Sequence, residues 1–212
     1  MSIKIDCCAD LHGHYPKLEG GDLLIVAGDL TARDTVNEYQ AFCYWLFQQN
    51  YRKKIVIAGN HDNELKKLPL KFDPEITDFA YLCDSGTEFE GLKIWGSPWT
   101  KTFPGMNPKC KAFTVDAEEE LAEKFTKIPE DTDILITHSP SYGILDWNTK
   151  GNLCGSTSLR DNVFERLNLK LHVFGHLHEA ACMIDRLPCI FVNASHVNER
   201  YEPVNKPIRI EL

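Results

Sequence analysis

The chain has 212 residues, 43% hydrophobic and 25% charged, with a formal net charge of −8 at pH 7. That size buries a sizeable core, and the acidic balance argues against long nucleic acids, whose binding needs a basic surface that releases counterions. No charged leader with an apolar run and cleavage site opens the chain, and no apolar stretch approaches the roughly 18 residues of a membrane span. One domain over residues 1–212, cytoplasmic and without a membrane partner, is therefore expected.

In chain order, a β-branched apolar run at residues 3–8 predicts a strand and is followed at once by Asp10-Leu11-His12. A second strand at 23–27 leads into Gly28-Asp29. Residues 35–49 read as a helix with Val36, Tyr39, Phe42, Cys43, Leu46 and Phe47 on one stripe. A strand at 54–58 precedes Gly59-Asn60-His61-Asp62, and another is expected at 92–95, before a glycine- and proline-broken loop at 98–108. A helix over 117–128, with Asp116 as its N-cap, carries Ala117, Leu121, Phe125 and Ile128 on one face. A strand at 133–137 ends at His138, residues 139–162 read as a loop, and a strand at 169–174 ends at Gly175-His176-Leu177-His178. Further strands are expected at 180–184, 189–193 and 208–212. Strands that are apolar almost throughout belong to sheets covered on both faces.

The eight cysteines, at 7, 8, 43, 83, 110, 154, 182 and 189, show no CxxC spacing, and most lie in apolar runs. They read as reduced, packed thiols, with Cys110 and Cys154, in loop-like segments, as the expected exposed ones.

Taken singly, a Gly-Asp pair is a common turn and a lone histidine is usually hydrogen-bonded and structural. Here Asp10, His12, Asp29, Asn60, His138, His176 and His178 all stand just beyond the carboxyl ends of successive predicted strands, where open α/β sheets place their sites. The two-residue spacings of Asp10/His12 and His176/His178 would turn both side chains the same way in extended backbone. Mixed carboxylate, amide and imidazole donors suit Mn, Fe, Zn, Co or Ni better than calcium. Two divalent transition metal ions are the expected cofactors.

The ordered blocks DxH, GD, GNHD, TH and GHxH resemble the calcineurin-like metallophosphoesterases. The segments IVIAGNH, GSPWT, DILITHSP, LHVFGHLHE and FVNAS are similar to the metallophosphoesterase-domain-containing (MPPED) subfamily, related to class III cyclic nucleotide phosphodiesterases. The resemblance implies an αββα sandwich, two mixed sheets flanked by helices. It also implies Asp10, His12, Asp29 and His178 on a first metal and Asp29, Asn60, His138 and His176 on a second. His176 is present where some animal members of the subfamily carry glycine. The implied reaction is hydrolysis of a small phosphodiester, such as a cyclic nucleotide, by a metal-bridging hydroxide, with His61 serving the leaving oxygen. Many members have an acidic residue at the position of Ala32 to orient that histidine; here Asp62 or Asp34 stands in its place.

Trp99 and Phe103, beside the Gly96–Thr100 loop, and Trp147, after His138, are candidates for stacking on a substrate ring or for core packing. Arg160 and Lys150 are candidates for steering an anion, with a solvated surface role as the alternative. His196 is expected at the surface. The same metal chemistry would serve a phosphomonoesterase or a protein phosphatase. A noncatalytic interaction scaffold is the reading from another class.

Overall fold

The computed structural model describes residues 2–67 and 79–212. In chain order its strands and helices begin with β1 (Lys4–Cys8), β2 (Gly21–Ala27), α1 (Val36–Phe47), β3 (Tyr51–Ile57), α2 (Asn63–Lys67), β4 (Ala80–Tyr81), β5 (Ser85–Phe89) and β6 (Leu92–Ser97). They continue with β7 (Thr100–Lys101), β8 (Thr114–Val115), α3 (Glu118–Phe125), β9 (Ile134–Thr137), α4 (Thr157–Asp161), β10 (Leu171–Phe174), β11 (Cys182–Arg186), β12 (Cys189–Asn193) and β13 (Ile208–Glu211).

Two large mixed sheets result, ordered β13-β1-β2-β3-β4 and β11-β12-β10-β9-β6-β5. In the first, β13 alone runs antiparallel to its neighbour. In the second, the edge pairs β11/β12 and β5/β6 are antiparallel around a parallel centre.

Because side chains alternate along a strand, each central strand feeds two cores. Ile5, Cys7, Ile25 and Ile57 pack with Ile94, Ile136, Val173 and Val192 between the sheets. Their neighbours Cys8, Leu24, Val26 and Val56 pack with Tyr39, Phe42, Trp45 and Leu46 of α1. On the far side, Leu135, Phe174 and Phe191 pack with Leu121 and Phe125 of α3 and Leu159 of α4. This is the expected αββα arrangement, and the doubly covered strands explain the unbroken apolar runs.

Local readings are corrected in four places. Val36 and Phe47 are 63% and 71% exposed, while Trp45 is buried; the Trp45 indole donates to the Pro16 carbonyl (3.0 Å) and stacks on Tyr15, rotating the buried arc of α1 toward it. The residue preceding α3 is Ala117, whose N–H is taken by Glu120, and Asp116 instead accepts from Thr102 (2.6 Å). The segments read as loops contain β7 and α4, each too short to leave a periodic signal. All eight cysteines are free; Cys154 and Cys182 are the exposed ones, and Cys110 is half-buried.

The sheets meet along one edge. The Ala9 N–H donates to the Ala194 carbonyl and the Ala194 N–H to the Phe174 carbonyl, both at 2.8 Å, so backbone pairing passes from β1 to the end of β10. The carboxyl ends of β1, β2, β3, β9 and β10 converge there. Among the described residues, no helix is long and apolar enough to cross a membrane.

Candidate metal centre

The turns that leave these strands are tight. Asp10, His12, Asp29 and His176 have φ of 49°, 42°, 53° and 71°, a left-handed conformation that costs a non-glycine residue on the order of 1–3 kcal/mol. The Asp10/His12 and His176/His178 spacings, expected from extended backbone, are set by left-handed turns instead. Two glycines make room for the carboxylates: a Cβ on Gly59 would lie 2.2 Å from Asp29 Oδ1, and one on Gly175 2.2 Å from Asp10 Oδ2.

Asp10, His12, Asp29 and His178 bring four ligand atoms within 4.8 Å of one another. Asp10 Oδ1 is buried with no hydrogen-bond partner in the structure and lies 3.5 Å from His178 Nε2. The His178 Nδ1–H donates to the Asn198 carbonyl (3.1 Å), which turns Nε2 toward Asp10 and toward His12 Nε2, 3.3 Å away. Asp29 Oδ2 completes this group, 3.6 Å from His12 Nε2.

A second group gathers on the other oxygen of Asp29. The His138 Nδ1–H donates to the Ala27 carbonyl (3.0 Å), and its Nε2 faces Asn60 Oδ1 at 3.0 Å and Asp29 Oδ1 at 3.5 Å, where it holds a proton in the metal-free chain and would offer a lone pair to a metal. Asn60 is oriented by its amide, which donates to the Cys110 carbonyl (3.1 Å). The His176 ring packs edge-on against His138 at 5.0 Å, and the backbone N–H of His176 donates to Asp10 Oδ2 (2.8 Å). Protons hold these carboxylate, amide and imidazole atoms together in the metal-free chain, and a cation bound among them would take the protons' place. Imidazoles whose outer nitrogen is bonded to a carbonyl are oriented as metal-binding histidines are. The donor set thus fits divalent metal.

The electrostatics agree. Burial raises the Asp10 and Asp29 carboxyls, but the surrounding imidazoles outweigh it and hold both below the usual range. Burial lowers His138 and His178, yet Asp29 at the first and Asp10 at the second more than offset it, pushing His138 up to about 9 and His178 above its ordinary value, so metal binding there would displace a proton. Burial dominates at His12 and His176, which fall to about 4 and 3.

His61 stands beside this cluster. Its N–H donates to Asp29 Oδ1 (2.9 Å), and its Nε2 lies 3.9 Å from Asp29 Oδ2. Neither carboxylate expected to orient it touches its ring. Asp62 accepts from the N–H groups of Asp29, Leu30 and Gly59 and from the Tyr39 hydroxyl, pinning the β2 and β3 turns together. Asp34 accepts from Tyr39 and the Glu64 N–H. The neighbour of His61 Nδ1 is Cys110 Sγ, at 3.5 Å.

A cavity of about 950 Å³ opens on His12 and His61 and is lined also by His14, Arg33, Lys109 and Tyr201. The three expected stacking residues are elsewhere. Trp99 donates to Asp84 (2.8 Å), packs on Phe113 and lies under the Lys124 ammonium. Trp147 pairs with Leu153, and Phe103 is 53% exposed outside the cavity lining. Arg160 lines a separate cleft with Phe164 and Arg186, Lys150 is exposed, and His196 is buried, donating to the Asn205 carbonyl (2.7 Å).

Sequence reasoning missed Tyr201, Asn198, Cys110 and Ser195, whose hydroxyl donates to Asp10 Oδ2 at 2.6 Å. Ser195 alone carried a signal, a polar side chain just past a strand end, the placement that singled out His138.

Two mixed sheets between helices, with aspartate and histidine gathered at their strand ends, define a metallophosphoesterase. The chain belongs to the calcineurin-like phosphoesterase family, whose sequence profile matches residues 3–180. It is 37% identical to the human "Metallophosphoesterase domain-containing protein 1", over 97% of this chain and 70% of that protein. It is 30% identical to the Caenorhabditis elegans "UPF0046 protein C25E10.12", over 99% and 81%. Its fold matches the crystal structure of TT1561 of Thermus thermophilus with a TM-score of 0.59 at 16% identity, covering 91% of this chain and 89% of that one.

Proposed function

We propose that this chain, acting as one domain over residues 1–212, hydrolyses small phosphodiesters, cyclic nucleotides among them, with two divalent metal ions. The observation that carries the reading is the placement of Asp29 between two acceptor groups. Asp10, His12 and His178 gather on one side, and Asn60, His138 and His176 on the other. Mn, Fe, Zn, Co or Ni suit these donors. When bound, such a metal pair polarises phosphoryl oxygens and lowers the pKa of a water toward neutrality.

The chain's own groups do the rest. Arg33, Lys109 and His14 on the cavity wall attract an anion into a molecule that is negative overall. His61, fixed through its N–H on Asp29, presents its imidazole to the cavity and serves the leaving oxygen. Asp62 acts by holding the turns that carry Asp29 and Asn60. The basic wall also favours a second reading, a phosphomonoesterase or protein phosphatase, because a monoester carries more charge than a diester.

The test is protein loaded in turn with Mn, Fe, Co, Ni or Zn, then assayed on 2′,3′- and 3′,5′-cyclic nucleotides, bis-p-nitrophenyl phosphate and p-nitrophenyl phosphate. Preference for the diesters supports the proposal. Turnover of the monoester alone replaces it with the second reading. No turnover with any metal overturns both and leaves a noncatalytic scaffold.

A further inference from the structure

His12, His61 and His178 come from three distant segments, yet one phenol ring touches all of them. Tyr201 lies edge-on to His12 at 4.8 Å and 77° and to His178 at 5.3 Å and 87°, and tilted to His61 at 6.2 Å. Edge-to-face rings at such separations attract. The contact matters most for His12. His178 is oriented by its Nδ1–H on the Asn198 carbonyl, whereas His12, whose Nε2 meets His178 and Asp29, makes no second ring hydrogen bond among the described residues, so packing fixes the rest of its orientation. Tyr201 and His61, at 4.6 Å for the latter, supply that packing.

The loop that carries Tyr201 is built to hold it still. Tyr201 has φ of 63°, a conformation costly for a tyrosine. Its N–H donates to the Asn198 carbonyl (2.9 Å), the same oxygen that receives His178. The Asn198 side chain accepts from the N–H groups of Arg200 and Glu202 at 2.9 and 3.0 Å. All of this lies beyond residue 180, where the family match ends.

We propose that Tyr201 is a positioning residue, whose ring locks His12 and His178 in the rotamers that point them at the metal centre and packs beside His61 at the cavity. The consequence for turnover rests on the function proposed above; the consequences for the imidazoles and for metal affinity do not.

The experiment compares the full chain with its Y201A, Y201L and Y201F variants. In metal-free protein, Y201A and Y201L are expected to shift and broaden the ring-proton NMR signals of His12 and His178 while leaving core methyl signals in place. Zinc and manganese affinity by calorimetry should fall about 10–100-fold, the usual effect of losing a group that orients metal-binding histidines. If esters are turned over, kcat should fall by a larger factor than KM changes. Y201F should restore every readout. Wild-type imidazole signals and affinity in Y201A overturn the proposal, as does a Y201F variant as impaired as Y201A, which would move the role to the hydroxyl. Should the wild-type protein hydrolyse no ester, the proposed function fails while the NMR and affinity comparison still decides the role of Tyr201.

Discussion

His61 and Asp29 are one residue contact apart and should fail differently when replaced. The His61 ring faces the cavity without belonging to either acceptor group, so His61→Ala should lower kcat by about 10²–10⁴-fold with metal content unchanged by elemental analysis at saturating metal. Asp29 is shared by both groups, so Asp29→Ala should lose metal and activity together; a fully metallated Asp29 variant would contradict its bridging role. Which side chains gather was legible from sequence, because each of them follows shortly after a strand. How they gather was not. Asp10, His12 and Asp29 adopt left-handed backbone without being glycine, and no local pattern marks such a residue. The neighbour of the His61 ring was also hidden: the Cys110 thiol reaches it from a loop 49 positions away.

At the scale of elements, the strand-end turns are the vulnerable parts. A methyl group added at Gly59 would lie 2.2 Å from Asp29 Oδ1 and 2.7 Å from His138 Cε1, so the turn after β3 must move away from both acceptor groups. Gly59→Ala should therefore lower zinc affinity at least as much as losing an orienting group, about 10-fold or more, and calorimetry with wild-type affinity would show that the turn has slack. The strands themselves were readable because covering on both faces leaves a continuous apolar run. The face of α1 was not, because the hydrogen bond from Trp45 to Pro16 is tertiary and overrides a stripe drawn from spacing. The loop bearing Ser195, Asn198 and Tyr201 has no period, and its meaning arises only when it folds over the imidazoles.

For the whole molecule, stability should depend on acid through a residue away from the metal centre. His172 is fully buried among Phe174 and Phe191, with Nε2 on the Thr137 hydroxyl and Nδ1 unpartnered, and burial pushes it down to about 3. The unfolded ring titrates near 6.5. Above that value neither state binds the proton, and the contribution to stability is whole. As pH falls from about 6.5 toward 3, the unfolded chain takes up a proton that the folded one refuses, and stability declines by up to about 1.4 kcal/mol per pH unit. Thermal melts of metal-free His172→Gln should be flatter than wild type over this window; parallel curves would count against it. The edge where the two sheets meet has a kinetic consequence as well. His12 and His178 are 166 positions apart in the chain yet nearly in contact, and Ser195 reaches Asp10 across 185. Contacts this remote form only after both sheets have docked, so metal captured there cannot guide the early steps of folding. Stopped-flow refolding should proceed at the same rate with zinc or with chelator, and zinc should act by slowing unfolding. Once assembled, the chain would owe its persistence to an ion that arrived after its fold was decided.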